Sequence, residues 1–318
     1  MKEKLSELKE TVARLLKDRT VDFFIAYQAG HSQVEPIPFF LTTAEHVENL
    51  FLNNFCAHNL SKYLLDYLAG DEVVGVLAKG CDLRALKRLL TDHRVERGRV
   101  FVVGLPCIGI YDRKKVQEVY PAGLVEVVEE GEEVILRGET GDKRVPRKEY
   151  LLPRCLTCPD HNPEFYDLLL GEKVANGPLA EEDYSDVRAL EEWAPGERRR
   201  YWTRQFERCL RCYACRNVCP ACNCRVCCFD VAEPRWLGKG TSLDEQEMFH
   251  FTRAMHVAGR CTGCGECERV CPVNIPLMKL NKKLAKDIGA LFHVPQAEIP
   301  TEVEPLGQFR LGDPDEFN

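Results

Sequence analysis

Apolar residues in the first part of the chain group into helical and strand patterns. Leucines and a valine recur at helical spacing within the first 17 residues and predict an N-terminal amphipathic helix. Continuous apolar runs at 21–27, 72–78 and 99–104 predict buried strands, and leucine spacing over 82–92 predicts a helix between the last two. A strand–helix–strand order predicts a parallel sheet with a right-handed crossover.

Three further elements follow from local signals. A capping box predicts a helix that begins near Thr42 and runs toward Leu68, with Asn53–Asn54 as a candidate break. Strand patterns at 124–128 and 134–137, separated by a glycine-containing turn, predict a β-hairpin. A helix is expected near 164–170. The first 175 residues therefore predict an α/β domain.

Composition and charge exclude several classes of protein. The chain has 318 residues, of which 45% are hydrophobic and 29% charged, so it has enough apolar residues for a packed core. The apolar stretch 100–111 is shorter than the ~18 residues that a membrane helix needs. A net charge of −7 argues against a nucleic-acid partner. With no apolar signal-peptide core in the first 17 residues, a cytoplasmic location is expected.

Seventeen cysteines are the unusual feature of the composition. A cytosolic chain of this length needs no disulfide scaffold, so dense cysteine favours metal binding. Two runs repeat one motif: Cys209-x2-Cys212-x2-Cys215-x3-Cys219-Pro220 and Cys261-x2-Cys264-x2-Cys267-x3-Cys271-Pro272.

This spacing is that of two-cluster bacterial ferredoxins, in which the fourth cysteine of each motif binds the other cluster. One [4Fe-4S] cluster is then predicted on Cys209, Cys212, Cys215 and Cys271. The second is predicted on Cys261, Cys264, Cys267 and Cys219. Zinc is the alternative, but structural zinc sites use paired cysteine knuckles and four ligands, which explains the doubled motif poorly. Two adjacent clusters indicate one-electron transfer.

Four cysteines of the first half form a candidate third site. Cys81 and Cys107 each follow a predicted parallel strand, at the edge where open α/β sheets bind ligands. Cys155 and Cys158 could complete a third [4Fe-4S] cluster there. The alternative is two structural cysteines with a small zinc knuckle. Cys56 could replace one of the four.

Cysteines directly after the first motif allow three interpretations. Cys222, Cys224 and Cys227, followed by Cys228, could supply alternative cluster ligands, build a further metal site, or be buried free thiols. His250, on a predicted helix before the second motif, is expected to pack near a cluster rather than to bind iron.

The predicted organisation is an α/β domain at 1–175, an acidic linker at 176–196, a two-cluster domain at 197–290 and a tail at 291–318. The first has a mixed sheet with a parallel βαβ core. The two-cluster domain is expected to be mainly helical and ferredoxin-like, and the tail extended. Gly-Pro and Pro-Gly pairs place the breaks that bound the linker.

Three segments carry a resemblance to a known family. Residues 79–86 (KGCDLRAL), 103–107 (VGLPC) and Cys155-x2-Cys158 with 167–172 (DLLLGE) resemble the beta-subunit family of coenzyme F420 (deazaflavin) hydrogenases and dehydrogenases. The whole chain is similar to a variant with a C-terminal ferredoxin domain, found with hydrogenases, formate dehydrogenases and heterodisulfide-reductase-like complexes. The resemblance implies iron–sulfur flavoprotein subunits, some of which carry FAD.

These observations predict an iron–sulfur electron-transfer subunit of an anaerobic, multisubunit oxidoreductase. It would relay electrons between a flavoprotein or catalytic subunit and partner redox centres, and would not be a stand-alone enzyme. No residue is predicted to be catalytic. The alternative is a flavin-containing deazaflavin or nicotinamide oxidoreductase. The sequence has no G-x-G-x-x-G motif, but the deazaflavin family does not use that fingerprint, so FAD stays open and is not favoured. A zinc-stapled interaction protein is the third alternative.

Overall fold

The computed structural model describes most of the chain. The described residues are 1–68, 70–121, 123–158, 160–175, 184–294 and 305–307. Among them the α-helices are α1 (Lys2–Lys17), α2 (Leu64–Tyr67), α3 (Gly80–Thr91), α4 (Arg113–Val119), α5 (Arg147–Tyr150), α6 (Pro153–Leu156), α7 (Ser185–Glu191), α8 (Pro195–Phe206), α9 (Ala214–Asn217), α10 (Leu243–His256), α11 (Glu266–Arg269) and α12 (Leu277–Phe292). The strands are β1 (Phe23–Gln28), β2 (Ile37–Leu41), β3 (Val74–Ala78), β4 (Val100–Gly104), β5 (Leu124–Glu130), β6 (Glu133–Gly138), β7 (Lys143–Pro146) and β8 (Leu168–Leu169).

The main sheet has the order β2-β1-β3-β4-β8. Strands β1, β3, β4 and β8 are parallel, and β2 pairs with β1 in the antiparallel sense at the edge. All five residues of β3 are buried, as expected for a strand covered on both faces. The predicted mixed sheet with a β3–α3–β4 core is confirmed.

A smaller antiparallel sheet has the order β5-β6-β7. Glu130 pairs with Glu133 across the turn, and Gly131 adopts a φ of 64° that a residue with a side chain rarely takes. The predicted hairpin is therefore present. Strand β7 was not predicted, because only one of its four residues, Val145, is buried.

Two helix predictions are wrong. Instead of one helix from Thr42 toward Leu68, the chain forms 3-10 turns at Ala44–Asn49 and Leu60–Tyr63 and the single-turn helix α2. Asn53 interrupts the segment, because its side chain accepts the Phe55 N–H at 2.9 Å and donates to the Gln33 carbonyl at 2.7 Å.

The other wrong prediction is the helix near 164–170, where the structure has strand β8. The Asp167 N–H donates to the Val102 carbonyl at 2.9 Å, and the Leu170 N–H donates to the Gly104 carbonyl at 2.8 Å. The Asp167 carboxylate also accepts the Val102 N–H at 2.7 Å. Pairing with β4 outweighs the local helix preference of this segment.

The chain divides into two compact units. One comprises Met1–Leu83 and Val95–Ala180, and the other comprises Arg84–Arg94 and Glu181–Asn318. Helix α7 lies within the predicted linker 176–196, of which residues 176–183 are outside the described residues. Most of the predicted tail, 295–304 and 308–318, is also outside them, so the domain limits remain predictions.

The second unit is mainly helical. Helix α10 packs against α8 and α12, and α11 packs against α9 and α12. Its core contains Phe206, Phe249, Ile275 and Leu277 together with cysteines of both motifs. Within the described residues, no helix is long and apolar enough to cross a membrane.

Candidate metal centres

The first group of cysteines surrounds one cavity, and we call it the first quartet. Its members come from the loop before α9, from α9 itself and from the segment after α11. The four cysteines of the first quartet that line this cavity are Cys209, Cys212, Cys215 and Cys271. Burial raises the pKa of Cys215 to about 11, and neighbouring Cys209 and Cys271 also raise it. Cys271, from the second motif, therefore lies beside three cysteines of the first.

The second quartet consists of Cys219, Cys261, Cys264 and Cys267. Burial raises the pKa of Cys267 well above its usual value; Cys219, Cys261 and Cys264 raise it further. Burial and Cys219 also raise the pKa of Cys261. Cys219 thus lies with the cysteines of the other motif, as Cys271 does in the first quartet.

Both motifs use the same backbone turn before a short helix. Arg211 and Tyr213 have φ values of 53° and 59°, and at the equivalent positions Gly263 and Gly265 have 65° and 66°. Left-handed backbone costs a non-glycine residue roughly 1–2 kcal/mol. Hydrogen bonds offset this at Arg211, whose guanidinium donates to the carbonyls of Glu245 and Gly238, each at 2.7 Å.

Arg253 places a buried positive charge near both quartets. It lies on α10, is 2% exposed, and donates to the Cys215 carbonyl at 3.1 Å. Burial acts to lower its pKa, but nearby cysteines outweigh burial and hold it well above the usual value; they are Cys219, Cys267, Cys222 and Cys215. A guanidinium here favours the thiolate forms that bind iron.

The donor set fits iron–sulfur clusters. Each quartet offers only sulfur ligands, and the buried thiols whose pKa is raised lose their protons readily only when a metal binds them. His250 lines the first cavity, where burial and the charges of Arg253 and Arg211 lower its pKa to about 3. Among the described residues, no group of three or more His, Cys, Asp or Glu side chains is arranged to hold a single metal ion.

Cysteines of the first unit also come together. Burial raises the pKa of Cys107 to about 11, and Cys155 and Cys158 raise it further. Burial and Asp82 raise the pKa of Cys81, with a contribution from Cys158. Cys81 lies in the first turn of α3, after β3, and Cys107 follows β4, so both cysteines lie at the carboxyl edge of the parallel strands.

A close backbone approach helps to bring these cysteines together. A Cβ atom on Gly80 would lie 2.2 Å from the carbonyl oxygen of Asp160, so only glycine allows this crossing of chain segments. The Cys107 N–H donates to the His161 carbonyl at 2.8 Å. Both contacts hold residues 160–161 against the strand ends.

A buried ion pair lies beside this group. The Lys79 ammonium lies 2.9 Å from Asp82 and donates to the Tyr27 hydroxyl at 2.6 Å. Its charge acts to lower the pKa of Cys81, Cys107 and Cys56, against the larger effect of burial. Lys79 opens the 79–86 segment that carries the family resemblance, and the structure buries its side chain to 2% exposure.

The cysteines after the first motif separate in the structure. Cys222 hydrogen-bonds to Cys219 and so lowers its pKa. Burial and Cys227 raise the pKa of Cys228, as does exposed Cys224. Cys222 therefore belongs beside the second quartet, while the other three form a group of their own; their role stays a prediction.

Comparisons with known proteins agree with the cysteine motifs. Residues 205–275 match the family described as 4Fe-4S dicluster domain. The chain is similar to the F420-dependent formate dehydrogenase subunit beta of Methanocaldococcus jannaschii, with 26% identity over 83% of this chain and 84% of that protein. It is 25% identical to the F420-dependent formate dehydrogenase 1 subunit beta of Methanococcus maripaludis, over 86% and 87% of the two chains.

Among solved structures, a hydrogenase complex contains a chain that is similar to part of this one. The xenon-derivatised F420-reducing [NiFe] hydrogenase complex from Methanosarcina barkeri contains a chain with a TM-score of 0.40 and 19% identity, covering 50% of this chain and 59% of that one. The dicluster match and the formate dehydrogenase beta subunits carry the assignment. The chain therefore contains a 4Fe-4S dicluster domain, and the comparisons support an iron–sulfur electron-transfer subunit of an oxidoreductase complex.

Proposed function

We propose that this chain transfers electrons between a flavin-bearing or catalytic subunit and other redox centres of an anaerobic, cytoplasmic oxidoreductase complex. Formate dehydrogenase is the favoured complex, because the two similar proteins are F420-dependent formate dehydrogenase beta subunits. A hydrogenase or a heterodisulfide-reductase-like complex is a further candidate. The chain acts with partner subunits, without a catalytic residue of its own.

The first quartet and the second quartet hold one [4Fe-4S] cluster each. Bound clusters of this type supply one-electron transfer. The observation that carries the proposal is the exchange of Cys219 and Cys271 between motifs, which supports the crossed ligation of a two-cluster ferredoxin. Arg253 provides a charge that both quartets share.

Removing one exchanged cysteine tests the crossed ligation. In Cys219→Ala we expect loss of about four iron atoms per chain, from the cluster held by Cys261, Cys264 and Cys267. In Cys271→Ala we expect loss of the cluster held by Cys209, Cys212 and Cys215. Cys222→Ala is the matched control, because it removes the neighbouring thiol and should leave iron and acid-labile sulfide unchanged.

Electron paramagnetic resonance of the reduced variants identifies which cluster remains. If Cys219→Ala and Cys271→Ala each lose the cluster of their own motif, the crossed ligation is wrong. A purified chain with zinc and without acid-labile sulfide would contradict the electron-transfer function itself.

A third [4Fe-4S] cluster on Cys81, Cys107, Cys155 and Cys158 is part of the proposal. It is supported by the effects of Cys155 and Cys158 on the pKa of Cys107, by the effect of Cys158 on the pKa of Cys81, and by the adjacent Lys79 charge. Cys158→Ala should lower the iron content by about four atoms per chain. Cys56→Ala decides the alternative ligand, since Cys56 lies near Cys107; it should leave the iron content unchanged if the four cysteines hold the cluster. Equal iron content in Cys158→Ala and in the unaltered chain would contradict the third cluster.

A flavin-containing deazaflavin or nicotinamide oxidoreductase is the second candidate function. A cavity at the carboxyl edge of the parallel strands favours it, lined by Asn53, Cys56, Lys79, Pro106, Cys107 and Ile108 among others. Such edges are where open α/β sheets bind cofactors. Flavin released on denaturing the anaerobically purified chain would support this candidate; its absence from chains with full iron content would favour the relay.

A further inference from the structure

His250 is buried in the cavity of the first quartet. It lies on α10, is 2% exposed, and lines the cavity together with all four sulfurs. Its ring stacks on Phe206 with centroids 4.6 Å apart and meets Phe249 edge-on at 4.9 Å. These aromatic contacts fix the imidazole against the space between the cysteines.

The polar atoms of this imidazole have no partner within the part of the chain that the structure describes. Both ring nitrogens are buried and neither makes a hydrogen bond there. In any protonation state the ring carries at least one N–H, and a buried donor without an acceptor costs about 1–3 kcal/mol. A second group in the cavity is therefore needed to accept this N–H.

Other groups that line the cavity leave sulfur as the acceptor. Apart from Tyr213, the remaining side chains are apolar and include Leu210, Ala214, Val273 and Ile275. Neither ring nitrogen makes a hydrogen bond to the Tyr213 hydroxyl or to a cysteine sulfur. A sulfur of the cluster that the quartet would bind is the remaining acceptor.

We propose that His250 is a positioning residue that donates an N–H hydrogen bond to a sulfur of the first cluster and raises its reduction potential. This inference rests on the ligands assigned under the proposed function. Reduction adds an electron to the cluster, so a hydrogen-bond donor stabilises the reduced state more than the oxidised state.

The second quartet has a different donor. Asn281 on α12 donates from Nδ2 to the Cys267 sulfur at 3.8 Å. It offers a matched position at which to remove one polar donor next to the other cluster. His250 and Asn281 should therefore act on different one-electron steps of the same chain.

The test is a potentiometric titration of the full chain, followed by electron paramagnetic resonance. His250→Phe keeps an aromatic ring against Phe206 and removes the N–H. Of the two one-electron steps that belong to the first and second quartets, we expect one to shift by about 59 mV to lower potential, a tenfold change in the reduced-to-oxidised ratio. His250→Gln, which keeps an N–H donor, should shift that step less, and Asn281→Leu should lower the other step.

Three outcomes would overturn the inference in chains with unchanged iron and sulfide. His250→Phe could leave both steps unshifted, could shift both equally, or could shift the step that Asn281→Leu shifts. Cys271→Ala separates the inference from the proposed function, because it should abolish the step that His250→Phe lowers. If it abolishes the other step, the ligand assignment fails and the inference fails with it.

Discussion

The two quartets share one loop conformation in different surroundings. The first places Arg211 and Tyr213 in left-handed conformations, where the second has glycines. The first exposes Cys212, whereas Cys264 and Cys267 of the second are buried. The comparison teaches that ligand spacing sets the turn, while neighbouring side chains set access and charge at each centre.

Solvent exposure gives the two quartets different expected roles. Leu210, next to the first quartet, is 61% exposed, and Met248, Phe251 and Met255 present apolar side chains on the outer face of α10. A partner can approach Cys212 more closely than it can approach the buried ligands of the second quartet. We expect electrons to enter or leave the dicluster domain at the first quartet.

The largest effect is expected from removing the charge that the quartets share. Arg253→Leu should lower the free energy of unfolding by about 3–5 kcal/mol, because it leaves buried thiolates without their cation. Both one-electron steps should move to lower potential, whereas His250→Phe should lower only one of them. Anaerobic urea unfolding and potentiometric titration measure the two effects. Arg253→Lys keeps the charge and is the control; a shift confined to one step in Arg253→Leu would contradict a shared role.

Oxidative loss of iron should distinguish the quartets next. Brief treatment with ferricyanide should destroy the cluster at exposed Cys212 before the cluster at buried Cys264 and Cys267. We expect severalfold faster loss of the resonance that Cys271→Ala abolishes. Equal decay of both resonances would show that exposure of one ligand does not decide access.

Backbone strain gives a smaller difference. Gly263→Ala should lower the free energy of unfolding by about 1 kcal/mol, because its φ of 65° is left-handed. The nearest atom to the added Cβ, on Arg84, is at an ordinary 3.5 Å, so the cost is conformational. Gly196→Ala in α8 is the control and should be neutral or stabilising. If Gly196→Ala lowers the free energy of unfolding as much as Gly263→Ala does, backbone strain does not explain the loss.

The smallest effect is expected from the ion pairs between α7 and α12, the helix that carries Asn281. Lys283 and Lys286 hydrogen-bond to Glu191 of α7 and lower its pKa to about 2. A carboxylate with a lowered pKa stabilises the folded chain above its unfolded pKa of about 4.3, and this contribution is lost as pH falls toward 2. Because the pair is partly exposed, Glu191→Gln should cost less than about 1 kcal/mol at pH 7.

Anaerobic unfolding in urea at pH 7, at low and at high ionic strength, tests this pair without exposing acid-labile clusters to pH 3. The difference between Glu191→Gln and the unaltered chain should shrink as salt screens the pair. A difference that stays constant, or grows, would mean that the ion pair is not its source. Glu192→Gln is the neighbouring control, and we expect it to leave stability unchanged.

Much of the fold followed from the sequence because its signals are local or periodic. The buried runs that form β3 and β4, and the leucine spacing of α3, define the parallel core without any long-range information. The helix predicted from Thr42 does not form as one element, because the Asn53 side chain competes for backbone hydrogen bonds. The helix predicted near 164–170 is strand β8 instead, because its pairing with β4 depends on residues far away in sequence.

The candidate sites also have a part that local sequence predicts and a part that depends on long-range packing. Cysteine spacing alone indicates two clusters, because the motif confines most ligands of each cluster to a short segment. The contributions of Arg253 and His250 could not be derived from spacing. A charged and a polar residue on the apolar face of α10, beside Phe249, Ala254 and Val257, were the available signal. Which atoms they face depends on how α10 packs.

The exchange of Cys219 and Cys271 between motifs also constrains biosynthesis. A nascent chain that has emerged only as far as the first motif presents three of the four sulfurs of the first quartet, since Cys271 is still to be synthesised. Under the crossed ligation that we propose, neither cluster can be completed before the second motif leaves the ribosome. Cluster insertion becomes a late, nearly simultaneous event, and a chain truncated before Cys261 would lose both centres instead of one.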